Sequence, residues 1–99
     1  SEININVKSK GKAKIVKIEE GLLKDFIPLE KLKNQANADR KAYRLTLQTE
    51  DGRTFRETVA LSVSPNSKLR KLIERYGTLK VGTEVEYAED ARGWPRLVY

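Results

Sequence analysis

Apolar and polar residues alternate from Tyr43 to Gln48: Tyr43, Leu45 and Leu47 share one parity, and Arg44, Thr46 and Gln48 share the other. A period of two places the sets on opposite faces of a β-strand. Glu50-Asp51-Gly52-Arg53 follows, and Asp-Gly is a strong hairpin signal because the turn needs positive φ. The alternation then returns. Phe55, Val59, Leu61 and Val63 fall on one parity, and Thr54, Arg56, Thr58, Ala60 and Ser62 on the other. Glu57 is the one polar intruder on the apolar parity, expected near an exposed strand end. The period changes next. Leu69, Leu72, Ile73 and Tyr76 recur at i, i+3, i+4 and i+7, the spacing of one helix face. Lys68, Arg70, Lys71 and Arg75 occupy the other faces. Ser64 or Asn66 is expected to cap the helix, with Pro65 early, where no N–H is needed, and Gly77 at its end.

The flanks add strands. Ile3, Ile5 and Val7 alternate with polar residues, and Ala13, Ile15, Val16 and Ile18 resume after Ser9-Lys10-Gly11. Either Gly11 marks a bulge in one long bent strand, or Ser9 to Gly11 turns a small hairpin. Gly21 to Lys41 is less regular: Leu22, Leu23, Phe26, Ile27, Leu29 and Leu32 can dock on a core, Pro28 can start a short helix, and Asn34 to Asp39 reads as an exposed polar loop. A connection of this length is either a functional loop or a surface excursion pinned by Phe26 and Leu29. Beyond the helix, Thr83, Val85 and Tyr87 predict a fourth strand, Glu89 to Gly93 a loop, and Trp94 to Tyr99 a fifth strand, in which Pro95 implies an edge position.

Five strands with one helix between the third and fourth is the order of an OB-fold barrel, in which a bent first strand serves both halves of the sheet. The fold class expected is therefore mostly β, a five-stranded OB-fold-like barrel forming a single domain over 1–99. An SH3-like barrel is the alternative, although it usually has no full amphipathic helix at this place.

Composition narrows the chemistry. The chain has no Cys and no His, which removes disulfides, a thiol nucleophile, the commonest general base and the commonest metal ligand. No cofactor or metal is implied. None of the six glycines forms a nucleotide-binding loop, and the Glu84, Glu86, Glu89 and Asp90 carboxylates read as solvated surface rather than as a catalytic set. A non-enzymatic role is expected. The net charge of +6 favours an anionic partner or, more plainly, a soluble lysine-rich surface. No apolar run reaches the roughly 18–20 residues of a membrane span, and no signal-peptide pattern opens the chain, so a cytoplasmic protein is the default. The lack of Cys, Met and His among many Lys, Arg and Glu is compatible with a thermophilic source.

The run Ser64 to Gly77, followed by Val81-Gly-Thr-Glu-Val85, resembles a pattern in small OB-fold single-stranded DNA-binding proteins of phage and archaeal type. In those a Ser-Lys-Leu helix start and a Gly-x-x-Val strand follow the third strand. The resemblance covers about residues 43 to 99. It implies a ligand site on the exposed face of strands two and three and in the loops joining strands one to two and four to five. The chain departs from the family in carrying no aromatic residue on that face, which argues against strong base stacking there.

Candidate binding residues follow from parity and charge. Arg44 and Arg56 lie among Thr46, Gln48, Thr54 and Thr58 on the outward parity, a mixture suited to phosphate and sugar contacts or to an ordinary solvated face. Arg40 and Lys41 end the long connection, and Lys12, Lys14 and Lys17 lie on the first strand. These groups converge if the barrel topology holds. Trp94, the only tryptophan, is flanked by Arg92 and Arg96 and either stacks on a base or caps the core. Phe26 is a second candidate for stacking or for the core. The leading function is non-catalytic binding of single-stranded nucleic acid, DNA over RNA. The second is a protein-interaction module using the 21–41 loop and Trp94. An enzyme working through the carboxylates comes third.

Overall fold

The computed structural model describes residues 11–99. The expected strand residues Ile3, Ile5 and Val7, with Lys8, Ser9 and Lys10, lie outside the described residues. Strand β1 spans Gly11–Leu22, β2 Lys41–Thr49, β3 Thr54–Ala60, β4 Glu84–Glu89 and β5 Pro95–Leu97. A single helical turn, α1, covers Leu23–Phe26, and the main helix, α2, covers Lys68–Tyr76 between the third and fourth strands. The strands pair antiparallel in the order β3-β2-β1-β4-β5. β3 also contacts β5, so the sheet curls into a nearly closed barrel. The mostly β barrel with one helix in this place is the architecture that the element order predicts.

β1 serves both halves of the sheet. Gly11 to Lys14 pair with β4, and Ala13 to Leu22 pair with β2. The bend is not at Gly11, which lies in regular register opposite Tyr87. It comes at Val16: Ile15 pairs with Leu47 and Lys17 with Thr46, leaving Val16 as the extra residue of a bulge. At this point β1 leaves β4. Its last links on that side run from the Ile15 N–H to the Thr83 carbonyl (3.0 Å) and from the Gly82 N–H to the Ile15 carbonyl (2.8 Å). The extra residue resets parity, so Ile15 and Ile18, three apart, both contribute to the core.

That core comprises Ala13, Ile15, Leu45, Leu47, Val59, Leu72, Val85, Tyr87 and Leu97, with Ile18, Phe55, Leu69, Tyr76 and Leu79 packed at its margin. α2 closes the barrel with Leu72, which is fully buried. Ile73, expected on the same face, is 45% exposed at the rim of an apolar opening that it shares with Ile18, Tyr43 and Leu61. The helix cap is Ser67, whose Oγ accepts the Arg70 N–H at 3.1 Å, and not Ser64 or Asn66. The Ser67 hydroxyl also donates to the Ser62 carbonyl, which ties the helix start to the end of the hairpin (3.2 Å). Gly77 ends the helix as expected, its N–H reaching the Ile73 carbonyl at 2.8 Å.

The alternation overran β3, which stops at Ala60. The Leu61 N–H bonds to the carbonyl of Lys41, the first residue of β2, beyond which that strand offers no partner. Glu57 is not at a strand end either. It sits in mid-strand opposite Leu45, and its carboxylate meets the Lys68 ammonium at the start of α2. Lys68 also donates to the Thr58 carbonyl at 3.1 Å. A lysine that helix periodicity assigns to the surface therefore closes the seam between β3 and α2. Among the described residues no helix is long and apolar enough to cross a membrane.

Candidate nucleic-acid interface

Residues directly opposite in an antiparallel pair share a face. The registers of β1, β2 and β3 therefore build three outward rows: Lys14–Gln48–Thr54, Lys17–Thr46–Arg56 and Glu19–Arg44–Thr58. Lys14 and Lys17 join the same face only because the Val16 bulge supplies the odd residue between them. Val16 itself stays 42% exposed, and it lines a groove of about 430 Å³ with Lys12, Lys14, Gln48, Glu50 and Glu84.

Ion pairing divides the cations on and around this face. Arg44 is held: its Nε and Nη2 donate to both carboxylate oxygens of Glu19 at 3.1 and 3.0 Å, and its guanidinium lies 5.0 Å from the centre of the Phe26 ring. This bidentate bond holds the Glu19 carboxyl below its usual range. Phe26 packs on Gly21, where even a Cβ would come within 3.0 Å of the ring, so it is fixed between Gly21 and Arg44 rather than offered to a base. Lys12 pairs with Glu84 (3.2 Å), Lys41 with Glu20 (3.1 Å) and Arg96 with Asp90 (3.4 Å). Lys14, Lys17, Arg40, Arg56 and Arg92 make no ion pair among the described residues and are all exposed.

The 23–40 connection is folded back on itself. The Leu23 N–H reaches the Arg40 carbonyl (2.9 Å) and the Lys24 N–H the Ala38 carbonyl (3.0 Å), while Lys24 pairs with Asp39 (2.9 Å). The short helix expected from Pro28 is one 3-10 turn at Leu29–Lys31, and a second 3-10 turn at Gln35–Asn37 is capped by Asn34. Arg40 and Lys41 thus stand at the Leu22 end of the β1–β2 pair, beyond the Arg44 row.

Trp94 belongs to the opposite end. It is 64% exposed, so it does not cap the core. Its neighbours Pro95 and Leu97 point inward, leaving Trp94 and Arg96 outward. Asp90 shapes the loop before it: Oδ1 accepts the N–H groups of Arg92 (2.9 Å) and Trp94 (3.0 Å), while the Asp90 N–H donates to the Trp94 carbonyl (3.0 Å). Those backbone donors, Trp94 first, hold the Asp90 carboxyl below its usual range. The turn also needs Gly93, whose φ of +82° is left-handed backbone.

The periodicity gave no sign of Arg53. It follows Gly52 in the β2–β3 turn, and its Nη1 donates to both Glu89 Oε2 and the Gly93 carbonyl at 3.1 Å. Its Nε and Nη2 grip Asp51 at 3.0–3.2 Å, and its guanidinium lies 5.9 Å from the Tyr87 ring centre. Hydrogen bonds from Thr49 and then Arg53 lower the Asp51 carboxyl to about 2, and the same partners, Asp51 first and then Glu89, push the Arg53 guanidinium up. The hairpin tip and the β4–β5 loop that carries Trp94 are thereby joined, while Arg40 stands at the other end of the β1–β2 pair. Asp90 carried a signal in the sequence, since Asp readily bonds backbone two residues on. Glu19 and Arg53 carried none, because their partners become visible only with the register. No family model matches the chain, and no curated protein or solved structure matches it.

Proposed function

We propose that the domain is a non-catalytic OB-fold module that binds single-stranded nucleic acid, DNA over RNA, along the outward rows of β1, β2 and β3. The observation that carries this reading is the placement on one face of three exposed cations, Lys14, Lys17 and Arg56, that make no ion pair among the described residues, with an exposed tryptophan in the loop that Arg53 ties to the β2–β3 turn. Lysine and arginine hold phosphates without reading sequence, and the Thr46, Gln48 and Thr54 side chains between them suit sugar and phosphate oxygens. Val16 offers apolar surface beside them. Trp94 supplies a stacking platform, with Arg92 adding charge nearby. Arg44 serves this face indirectly: paired with Glu19 and laid over Phe26, it fixes the first strand to the second and to the connection. The barrel order and the helix between the third and fourth strands support the OB-fold assignment.

Titration with a short single-stranded DNA oligonucleotide at several salt concentrations tests the proposal. The logarithm of the binding constant should fall linearly with log[salt] at a slope of roughly −0.7 per phosphate neutralised. A protein-docking role for the 23–40 connection is the second reading, favoured by Leu29, which is half exposed on that excursion. No oligonucleotide binding at low salt, together with concentration-dependent self-association or a defined protein partner, would select it.

A further inference from the structure

Trp94 can act as a stacking platform only if its ring is held where a base arrives. An exposed aromatic on a free loop would lose conformational entropy on binding, and that loss would reduce the gain from the stack. Two devices hold this one. Asp90 folds the loop onto itself through the Arg92 and Trp94 N–H groups. The β4–β5 ladder, whose last pair is Glu89 with Pro95, carries this loop on the sheet. Arg53 adds a second tie, reaching from the β2–β3 turn to both Glu89 and the carbonyl of Gly93, the residue next to Trp94.

The Arg53 side chain is itself constrained on several sides. Asp51 grips Nε and Nη2, and the Tyr87 ring lies beside the guanidinium. The Arg53 backbone is also fixed: its N–H reaches Thr49 Oγ1 at 3.0 Å, and its carbonyl accepts the Thr49 N–H at 2.8 Å. Thr49, at the end of β2, is 4% exposed, so the anchor of the whole arrangement is buried. The planar guanidinium suits this task because it can donate in several fixed directions at once, which an ammonium cannot.

From these contacts we infer that Arg53 is a positioning residue: it docks the β4–β5 loop on the β2–β3 turn, sets the Trp94 indole for stacking on a nucleobase, and does not itself bind the ligand. This rests on the nucleic-acid reading above and adds to it the group that makes the tryptophan competent.

The test is a double-mutant cycle of Arg53→Gln and Trp94→Ala, read by affinity for a short single-stranded DNA oligonucleotide, with Trp94 fluorescence anisotropy measured in the free protein. Trp94→Ala should weaken binding by roughly 5- to 150-fold, the equivalent of one lost base stack. Arg53→Gln should lower the anisotropy of free Trp94 and weaken binding by most of that factor. In the Trp94→Ala background it should change affinity little, because the residue it positions is gone. If Arg53→Gln does not fold, Arg53→Lys keeps the charge but cannot hold both directions, and the same cycle is run with it. An equal loss with and without Trp94 would make Arg53 an electrostatic or general structural group and overturn the inference. So would unchanged anisotropy. Full-strength binding by Trp94→Ala would instead remove the stacking site itself, and the positioning role with it.

Discussion

The row Lys17–Thr46–Arg56 and the row Glu19–Arg44–Thr58 lie side by side on the outward face, and each carries an arginine on the parity that alternation assigns to solvent. In the second row the arginine faces a carboxylate across the strand pair and is taken up by it, with Phe26 closing the other side. In the first row the residue opposite is Thr46, and beyond it lies another cation. For Arg44 to reach a phosphate, two charge-assisted hydrogen bonds would have to break and Glu19 would be left facing the ligand. Arg56 makes no such bond among the described residues. Parity settles which face a side chain is on, and the cross-strand neighbour settles whether its charge is available. The two rows therefore differ in what they offer: one holds the scaffold, and the other presents charge.

Inserting one residue between Lys17 and Ile18 should break the locked row and have the largest effect. Ile18 would turn outward and Glu19 inward, since a one-residue slip reverses every side chain. The domain should lose more than about 3 kcal/mol, the scale of an unpaired buried charge, measured by chemical denaturation. An insertion variant of unchanged stability would mean that the register of β1 is not fixed by its parity. The next largest effect is at the tryptophan: Trp94→Ala should weaken oligonucleotide binding by roughly 1–3 kcal/mol and leave the salt slope almost unchanged.

Glu19→Gln converts the locked row towards the open one. It removes a negative charge from the face and frees the Arg44 guanidinium, so oligonucleotide affinity should rise and the salt slope should steepen by up to roughly 0.7. Thermal stability should fall at the same time, because the pair no longer ties β1 to β2. Unchanged binding by this variant would show that Arg44 is out of the ligand's reach for another reason. The smallest effect concerns acid. Asp51, held at about 2, and Asp90 and Glu19, held below their usual range, all have folded values below their unfolded ones. Their contributions are therefore complete above about pH 5 and are lost as pH falls through the folded values, which for Asp51 is about 2. The melting temperature should decline through that window, and Asp51→Asn should flatten part of the decline.

Much of the scaffold was legible in the sequence. The alternation from Tyr43 to Gln48 is local and unbroken, the Asp-Gly turn has Gly52 at φ +90°, and Leu69, Leu72 and Tyr76 mark the helix face. What escaped was decided between elements. Gly11 looked like the natural bulge, yet the bend falls at Val16, where β1 exchanges one partner strand for another. Ser64, Asn66 and Ser67 offer three capping groups within four residues, and the link from Ser67 to Ser62 selects the third. Glu57 looked misplaced until Lys68 was brought over it from the helix. In the site, Lys14, Lys17, Arg56 and Trp94 could be named from parity and charge. The capture of Arg44 by Glu19 and the reach of Arg53 to Gly93 span 25 and 40 residues, and no local pattern encodes them.

The most direct test of the account compares salt slopes for oligonucleotide binding by the unmodified protein, by Lys17→Ala with Arg56→Ala, and by Arg44→Ala. If the open row holds phosphates, the first variant should lose affinity for all sequences alike and lower the slope magnitude by roughly 1.4, two phosphates at about 0.7 each. Arg44→Ala should melt at a lower temperature yet keep nearly the original slope. A double variant that folds, binds with full affinity and keeps the original slope would contradict the assignment of this face to nucleic acid.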